Sequence, residues 1–408
     1  MNTPISTKSS PPATNAVAPA TGLLDRARQL LRADFGQVPV LIAVVFMAIY
    51  FNTATTPGLY LGSENLSNMA LQSTTIGIIA LGSVLVLLMG EIDLSLAVVS
   101  NLCGAVMCSV SVYRGWGLVP AILSALVVGA LIGAFNGVLI AVLRVPSFIV
   151  TLAGFLAYQG VLQHITLPDE SILLHDQNII KIATSFLTFN QGIALVVVAI
   201  AAYSGWVIFS RFARVGKGLK VQSWPMTLLN IGFVAVPVLA ALYIFSNYQG
   251  VPYLTTIFMG LVIVIWVVLR FTTFGRHVYA VGGNAEAARR AGISVVRTRI
   301  LIFTMASTLA AVAGVLEASR STTATAVVSP TLLLQAIAAA VIGGVSLFGG
   351  RGSVWAAVLG TLVIGGLING LALQDRTADV QYIVEGVVLL LAVVLDAVLR
   401  RRNAVTGR

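Results

Sequence analysis

A chain of 408 residues that is 58% hydrophobic and 9% charged, with mean hydropathy +0.97, cannot cover a water-soluble globule; soluble domains carry about 25% charged residues. Lipid is its solvent, and no polar stretch is long enough for a separate soluble domain. The net charge of +10 raises nucleic acid as a partner, but the placement of the basic residues along the chain accounts for it without one.

Residues 1–21 are rich in Ser, Thr, Pro and Ala and read as a disordered tail, without the short apolar core of a cleaved signal. Residues 22–35 set Leu23, Leu24, Leu30, Leu31 and Phe35 against Arg26, Arg28 and Arg32, an amphipathic segment suited to the cytoplasmic membrane surface. The domain reading follows: 1–35 tail and interfacial segment, 36–399 membrane domain, 400–408 basic cytoplasmic tail.

A spanning helix needs about 20 mostly apolar residues. Segments that meet this are 36–55, 69–90, 94–112, 118–143, 146–165, 190–210, 226–246, 252–270, 300–319, 333–349, 353–373 and 381–399. The expected fold is an all-α polytopic membrane protein with about 10–12 transmembrane helices. With both termini inside, all but four of the 24 Lys and Arg are cytoplasmic, the exceptions being Arg114, Lys181, Arg320 and Arg376. Cys103 and Cys108 lie in an apolar run without His partners at ligand spacing, so neither a disulfide framework nor a metal site is expected.

The turn GEIDLS carries Glu91, Asp93 and Ser95. It reads either as a solvated turn with Asp93 as helix N-cap, or as a contact with a partner or gate. Two acids without His make no metal site. In VPSFIVTLAGFLAYQG, Ser147, Thr151, Phe155, Tyr158 and Gln159 recur at helical spacing as a polar and aromatic stripe. Such a stripe suits sugar hydroxyls and ring faces, although Ser and Thr in membrane helices also bond to backbone. Asn101, Asn136, Gln335 and Asn369 are further pathway candidates. Glu317 and Glu385 are carboxylates at membrane depth, with Arg320 one turn from Glu317 as its natural partner.

Between two apolar runs lies GGNAEAARRAG. Asn284 suits an N-cap, Glu286 the first turn, Arg289 and Arg290 the last turn, and Gly292 the C′ position. A helix of about seven residues is marginal alone and must lean on something. GEIDLS and FGGRGS form similar tight turns, and GAFNG echoes GLING, which is compatible with an internal duplication. Neither a phosphate-binding G-x-x-x-x-G-K-[ST] loop nor a hydrolase motif occurs, so no catalytic residue is assigned and any ATP energy must come from another subunit.

GEIDLS, VPSFIVTLAG, GRHVYAVGGNAEAARRAGI, AAAVIGGVSLFGGRGS and IGGLINGL, in that order, resemble the permease subunits of bacterial monosaccharide ABC importers, the ribose/xylose/galactose group. Overall length and the extra span near 226–246 look most like the xylose type. The alternatives are a permease for another small solute, such as branched-chain amino acids, and an ATPase-independent secondary transporter. The resemblance implies an inner-membrane subunit paired with a second copy of itself. It further implies a cytoplasmic ATPase that binds ATP and Mg, and an extracytoplasmic sugar-binding protein; this chain carries no cofactor. The coupling segment falls at 271–299, with Gly283, Asn284, Glu286, Ala287, Arg289, Arg290 and Gly292 as the residues that meet the ATPase.

Overall fold

The computed structural model describes residues 38–405 except Lys220 and Gln222. The readings for residues 1–35, and for the last three residues of the basic tail, lie outside these. In chain order the elements are α1 (Val38–Ala54), α2 (Ser63–Leu88), α3 (Leu96–Arg114), α4 (Leu118–Ala141), α5 (Ser147–Thr166), β1 (Ser171–Leu173), α6 (Gln177–Thr184), β2 (Phe186–Leu187) and α7 (Phe189–Gly216). There follow α8 (Trp224–Ser246), β3 (Val251–Pro252), α9 (Tyr253–Phe271), α10 (Thr273–Gly283), α11 (Ala285–Arg290), α12 (Val295–Ser321), β4 (Thr323–Thr325), α13 (Pro330–Ile342), α14 (Trp355–Leu373) and α15 (Ala378–Val405).

Among the described residues nine helices are long and apolar enough to cross a membrane, and the protein is an all-α polytopic membrane protein. All the segments expected as spans are helical, but not all have the expected extent. α2 starts at Ser63 and α12 at Val295, each several residues early. The segment expected at 333–349 is the short α13, which at 1.5 Å per residue reaches about 20 Å and cannot cross a 30 Å core. It ends in a Schellman closure, where Gly344 (φ +102°) donates to Val341 O at 2.9 Å and Val345 N to Ala340 O at 3.1 Å, and α14 packs so closely there that a Cβ at Gly343 would collide with the Ala356 carbonyl.

α2 and α12 form the centre. From Ser73 to Leu88 every residue of α2 is buried, and most of α12 is too. α4 shows how close packing is obtained without a hydrophobic effect between helices. Its Ala121, Ala125, Gly129, Gly133 and Gly137 are buried against α12, while Leu123, Val127, Leu131 and Phe135 are exposed. Small residues let the backbones approach so that dispersion does the work. α8 is peripheral, with only Thr227 buried; its hydroxyl accepts from Arg211 Nη1 at 3.1 Å, and that guanidinium lies 4.3 Å from the Trp224 ring centre.

The segment expected as a coupling loop is helical. Thr272 caps α10 by accepting from Gly275 N at 3.2 Å, and Val278 and Val281 bury its inner face. Two short ladders, β1 with β4 and β2 with β3, join the connections on the opposite face; strands of two or three residues leave no periodicity for sequence reading to detect.

Candidate functional site

Two polar sites occupy opposite ends of the central helices. The first is built around GEIDLS. α2 ends in a Schellman turn: Gly90, at φ +73°, donates to Leu87 O at 2.9 Å, and Glu91 N donates to Val86 O at 3.2 Å. The next backbone N–H groups are taken by α5. Ile92 N donates to Ser147 Oγ at 3.3 Å and Leu94 N to Thr151 Oγ1 at 3.1 Å. Ser147 and Thr151 are buried, their hydroxyls engaged on this turn.

Asp93 is not the residue that precedes the helix; Ser95 is, and it makes no side-chain cap bond. Asp93 Oδ1 instead accepts from Ser95 N at 2.8 Å and Ser95 Oγ at 2.6 Å, a local turn that folds the carboxylate inward. Asp93 is therefore buried rather than solvated, at 3% exposure, although Gly90 and Ile92 of the same turn are exposed. Burial pushes the Asp93 carboxyl up to about 6, against the lowering effect of the two Ser95 bonds. Asn136 reaches Ser95 Oγ at 3.4 Å and accepts from Tyr158 OH at 2.7 Å, so α4 and α5 both hold this network.

Two further contacts tie the turn to the rest of this face. Glu91 Oε1 lies 2.9 Å from Arg299 Nη2 on the second turn of α12. Gly350 N, in FGGRGS, donates to Leu88 O at 2.9 Å, and a Cβ at Gly282 would collide with that same carbonyl. The two similar turns and the end of α10 thus meet backbone to backbone.

α11 follows directly. Asn284 Oδ1 accepts from Ala287 N at 2.9 Å, as its N-cap position requires. At the other end Gly292 (φ +82°) donates to Arg289 O, and Ile293 N donates to Ala288 O, both at 3.0 Å, a second Schellman closure. Part of what this short helix leans on is its own chain, since Ala288 is 4% exposed beside α10 and α12. Gly283, Asn284, Glu286, Ala287, Arg289, Arg290 and Gly292 are all exposed. Glu286 pairs with Arg289 at 3.5 Å and Arg290 at 3.4 Å.

The second site is a cavity of about 360 Å³ between the middle of α2, the first half of α3 and the C-terminal end of α12, roofed by the β4 segment. Its polar lining includes Gln72, Thr75, Asn101, Glu317, Arg320 and Gln335. Glu317 Oε1 receives Arg320 Nη2 at 2.7 Å, and its Oε2 receives Thr75 Oγ1 at 2.7 Å. Gln335 Nε2 donates to Glu385 Oε2 at 3.0 Å, and Asn101 Nδ2 reaches Val327 O at 3.5 Å. The cavity therefore offers donors and acceptors around a neutral ion pair, chemistry suited to a polyhydroxylated neutral solute.

The residues read as one pathway set thus separate. Asn136, Ser147 and Thr151 belong to the GEIDLS network, and Asn101 and Gln335 line the cavity. Gln159 Nε2 donates to Ala326 O at 2.7 Å and pins the roof segment. Phe155 is half-buried against the core. Asn369 exchanges bonds of 2.9 and 3.0 Å with Asn65, away from both sites. Sequence reading did not single out Arg299, Thr75 or Gln72 as site residues; Arg299 and Thr75 meet partners remote in the chain, Gln72 lines the cavity, and no local pattern marks them. Among the described residues no group of His, Cys, Asp and Glu is placed to hold a metal ion.

A helical bundle of apolar spans, with a polar cavity at one end and a capped helix on the opposite face, is the build of a membrane permease. The chain belongs to the family described as branched-chain amino acid transport system / permease component, whose model matches residues 65–393. It is 38% identical to the xylose transport system permease protein of Escherichia coli strain K12 over 367 residues, 90% of this chain and 93% of that protein. The corresponding Haemophilus influenzae protein is 37% identical over 88% of this chain and 95% of its own length. The ribose import permease protein of Escherichia coli is 33% identical over 82% of this chain and 85% of its own. No solved structure matches the chain.

Proposed function

We propose that this protein is the permease subunit of an ATP-driven importer for xylose or a similar monosaccharide. The observation that supports this reading most is identity of 38% to a xylose permease, sustained over 90% of the chain, with ribose and arabinose permeases also among its relatives. The family description names branched-chain amino acids, whereas the relatives that match most of this chain are xylose, ribose and arabinose permeases.

In this reading residues 36–399 form the permease unit, in the inner membrane, with a second copy as its partner. The face bearing α10 and α11 is cytoplasmic, because it and the termini carry most of the Lys and Arg. The segment 271–299 couples to a separate ATPase that hydrolyses Mg-bound ATP. Exposed Arg289 and Arg290 meet acidic groups there, and exposed Ala287 permits close approach. The binding protein releases sugar at the opposite face, where the cavity of Asn101, Glu317, Arg320 and Gln335 is the entrance to the pathway.

The experiment is uptake by proteoliposomes that contain the permease with its ATPase and binding protein. ATP-dependent accumulation of labelled xylose and none of leucine is expected. Leucine uptake, or xylose uptake without the ATPase, refutes the reading. Single-cysteine labelling of intact cells tests the orientation: position 170 is expected to react from outside and position 286 not to react.

A further inference from the structure

We infer that the Glu91–Arg299 ion pair is the adjustable link that passes movement of α11 to the GEIDLS turn and to α5, the helix whose Gln159 pins the roof of the cavity, so that both are positioning residues for import. The inference rests on the coupling role proposed for α11.

Four ion pairs join described residues, and three lie within a single helical turn or its neighbour: Arg289–Glu286, Arg290–Glu286 and Arg320–Glu317. Glu91–Arg299 alone among them ties two separate elements. Its side chains are 15% and 27% exposed, so solvent screens it less than the α11 pairs, whose members are more than half exposed.

Each end of the pair is stiffly attached to something that matters. On the arginine side, α11 closes onto Gly292 and Ile293 with two backbone bonds, and Ser294 caps α12 by accepting from Arg297 N at 3.4 Å. A shift of α11 is delivered to the first turns of α12 with little slack. On the glutamate side, the next residues of the turn are bonded to Ser147 and Thr151 of α5. The route runs α11, Arg299, Glu91, turn, α5.

The remaining contacts of the turn are backbone to backbone: Gly350 N on Leu88 O, and Gly282 against the same carbonyl. Such contacts pivot but do not lengthen. The ion pair is made by long side chains and has room to move. Glu91 and Arg299 line a cavity of about 530 Å³, whose wall also carries Arg144 and Arg289. If Arg299 withdraws, Arg144 and Arg289 border the same space and are the cations available to Glu91, so its charge need not be left without a counter-charge. Two discrete pairings of one carboxylate are what a two-position relay requires.

The test uses the complete importer in proteoliposomes and reads sugar imported per ATP hydrolysed. Glu91→Gln and Arg299→Gln are expected to keep the ATPase bound and active, with that ratio lowered about tenfold, within the usual span of coupling effects. Arg299→Lys, which keeps the charge, is expected to retain most of the ratio. The double Glu91→Gln, Arg299→Gln variant is expected to be no worse than either single one, because both remove one interaction. A wild-type ratio in Arg299→Gln, an Arg299→Lys as impaired as Arg299→Gln, or losses that multiply in the double variant overturns the inference. Should Glu91→Gln fail to insert, the two Arg299 variants decide alone. Deleting residues 284–291 tests the docking reading separately. Loss of ATPase co-purification there, together with a wild-type ratio in Arg299→Gln, overturns the link and leaves the docking role standing.

Discussion

Thr151 separates two readings of one hydroxyl. On the helix α5 it sits in a stripe that suits a sugar pathway, yet it is fully buried, donates to Ser147 O at 2.9 Å and accepts from Leu94 N at 3.1 Å. Thr151→Val keeps the shape and replaces the acceptor with a methyl group. Leu94 N–H then loses its acceptor in a part-buried site, and an unsatisfied buried donor costs about 1–3 kcal/mol. The Ser147 carbonyl loses only a supplementary bond. Thr151→Ser keeps the acceptor and gives up one methyl, about 0.8 kcal/mol. The two buried free thiols, Cys103 and Cys108, supply the assay. Their reaction with a thiol-specific dye during a thermal ramp reports opening of the bundle. Thr151→Val is expected to open at a clearly lower temperature than Thr151→Ser, with import falling only as far as folded protein is lost. A Thr151→Val that opens with the wild type while import collapses refutes the clamp and returns the hydroxyl to the pathway.

Gly282→Ala is expected to separate α10 from the GEIDLS and FGGRGS turns, because the added Cβ meets the Leu88 carbonyl; overpacking of this kind costs about 1–3 kcal/mol, and the same thiol assay reads it. Asp93 has a carboxyl raised to about 6 in the fold from an ordinary value of 3.8. The folded state therefore binds the extra proton, and this group's contribution to stability falls as pH rises from near 4 to 6. Asp93→Asn should remove that slope, seen as a pH-dependent difference in opening temperature between variant and wild type; an unchanged slope refutes it. The double Arg289→Glu, Arg290→Glu variant reverses exposed charge without touching an apolar span. Membrane insertion should survive while ATPase co-purification weakens, most at low salt where screening is least; full assembly at low salt would show that charge does not dock this helix.

The membrane class, the helices and both capped ends of α11 were legible in the sequence because each depends on local rules: apolar run length, cap residues, and glycine where φ turns positive. Asn284 and Gly292 do what their positions within eleven residues demand, whatever surrounds them. The limits of that reading are equally local in kind. α13 reads as a span by composition, but its end is set by the local closure on Gly344, which run length alone does not weigh. The stripe on α5 is a true periodicity, but periodicity states which residues share a face and not what that face meets. Tertiary structure decided that Ser147 and Thr151 meet the backbone of a turn, that Glu91 meets Arg299, and that Asn101 and Gln335 share a cavity with Glu317. In a chain so apolar, every span satisfies the same hydropathy rule. Which helices lie side by side is then set by small residues, close backbone approach and a few polar contacts between distant segments, none of which leaves a signal in a single local window.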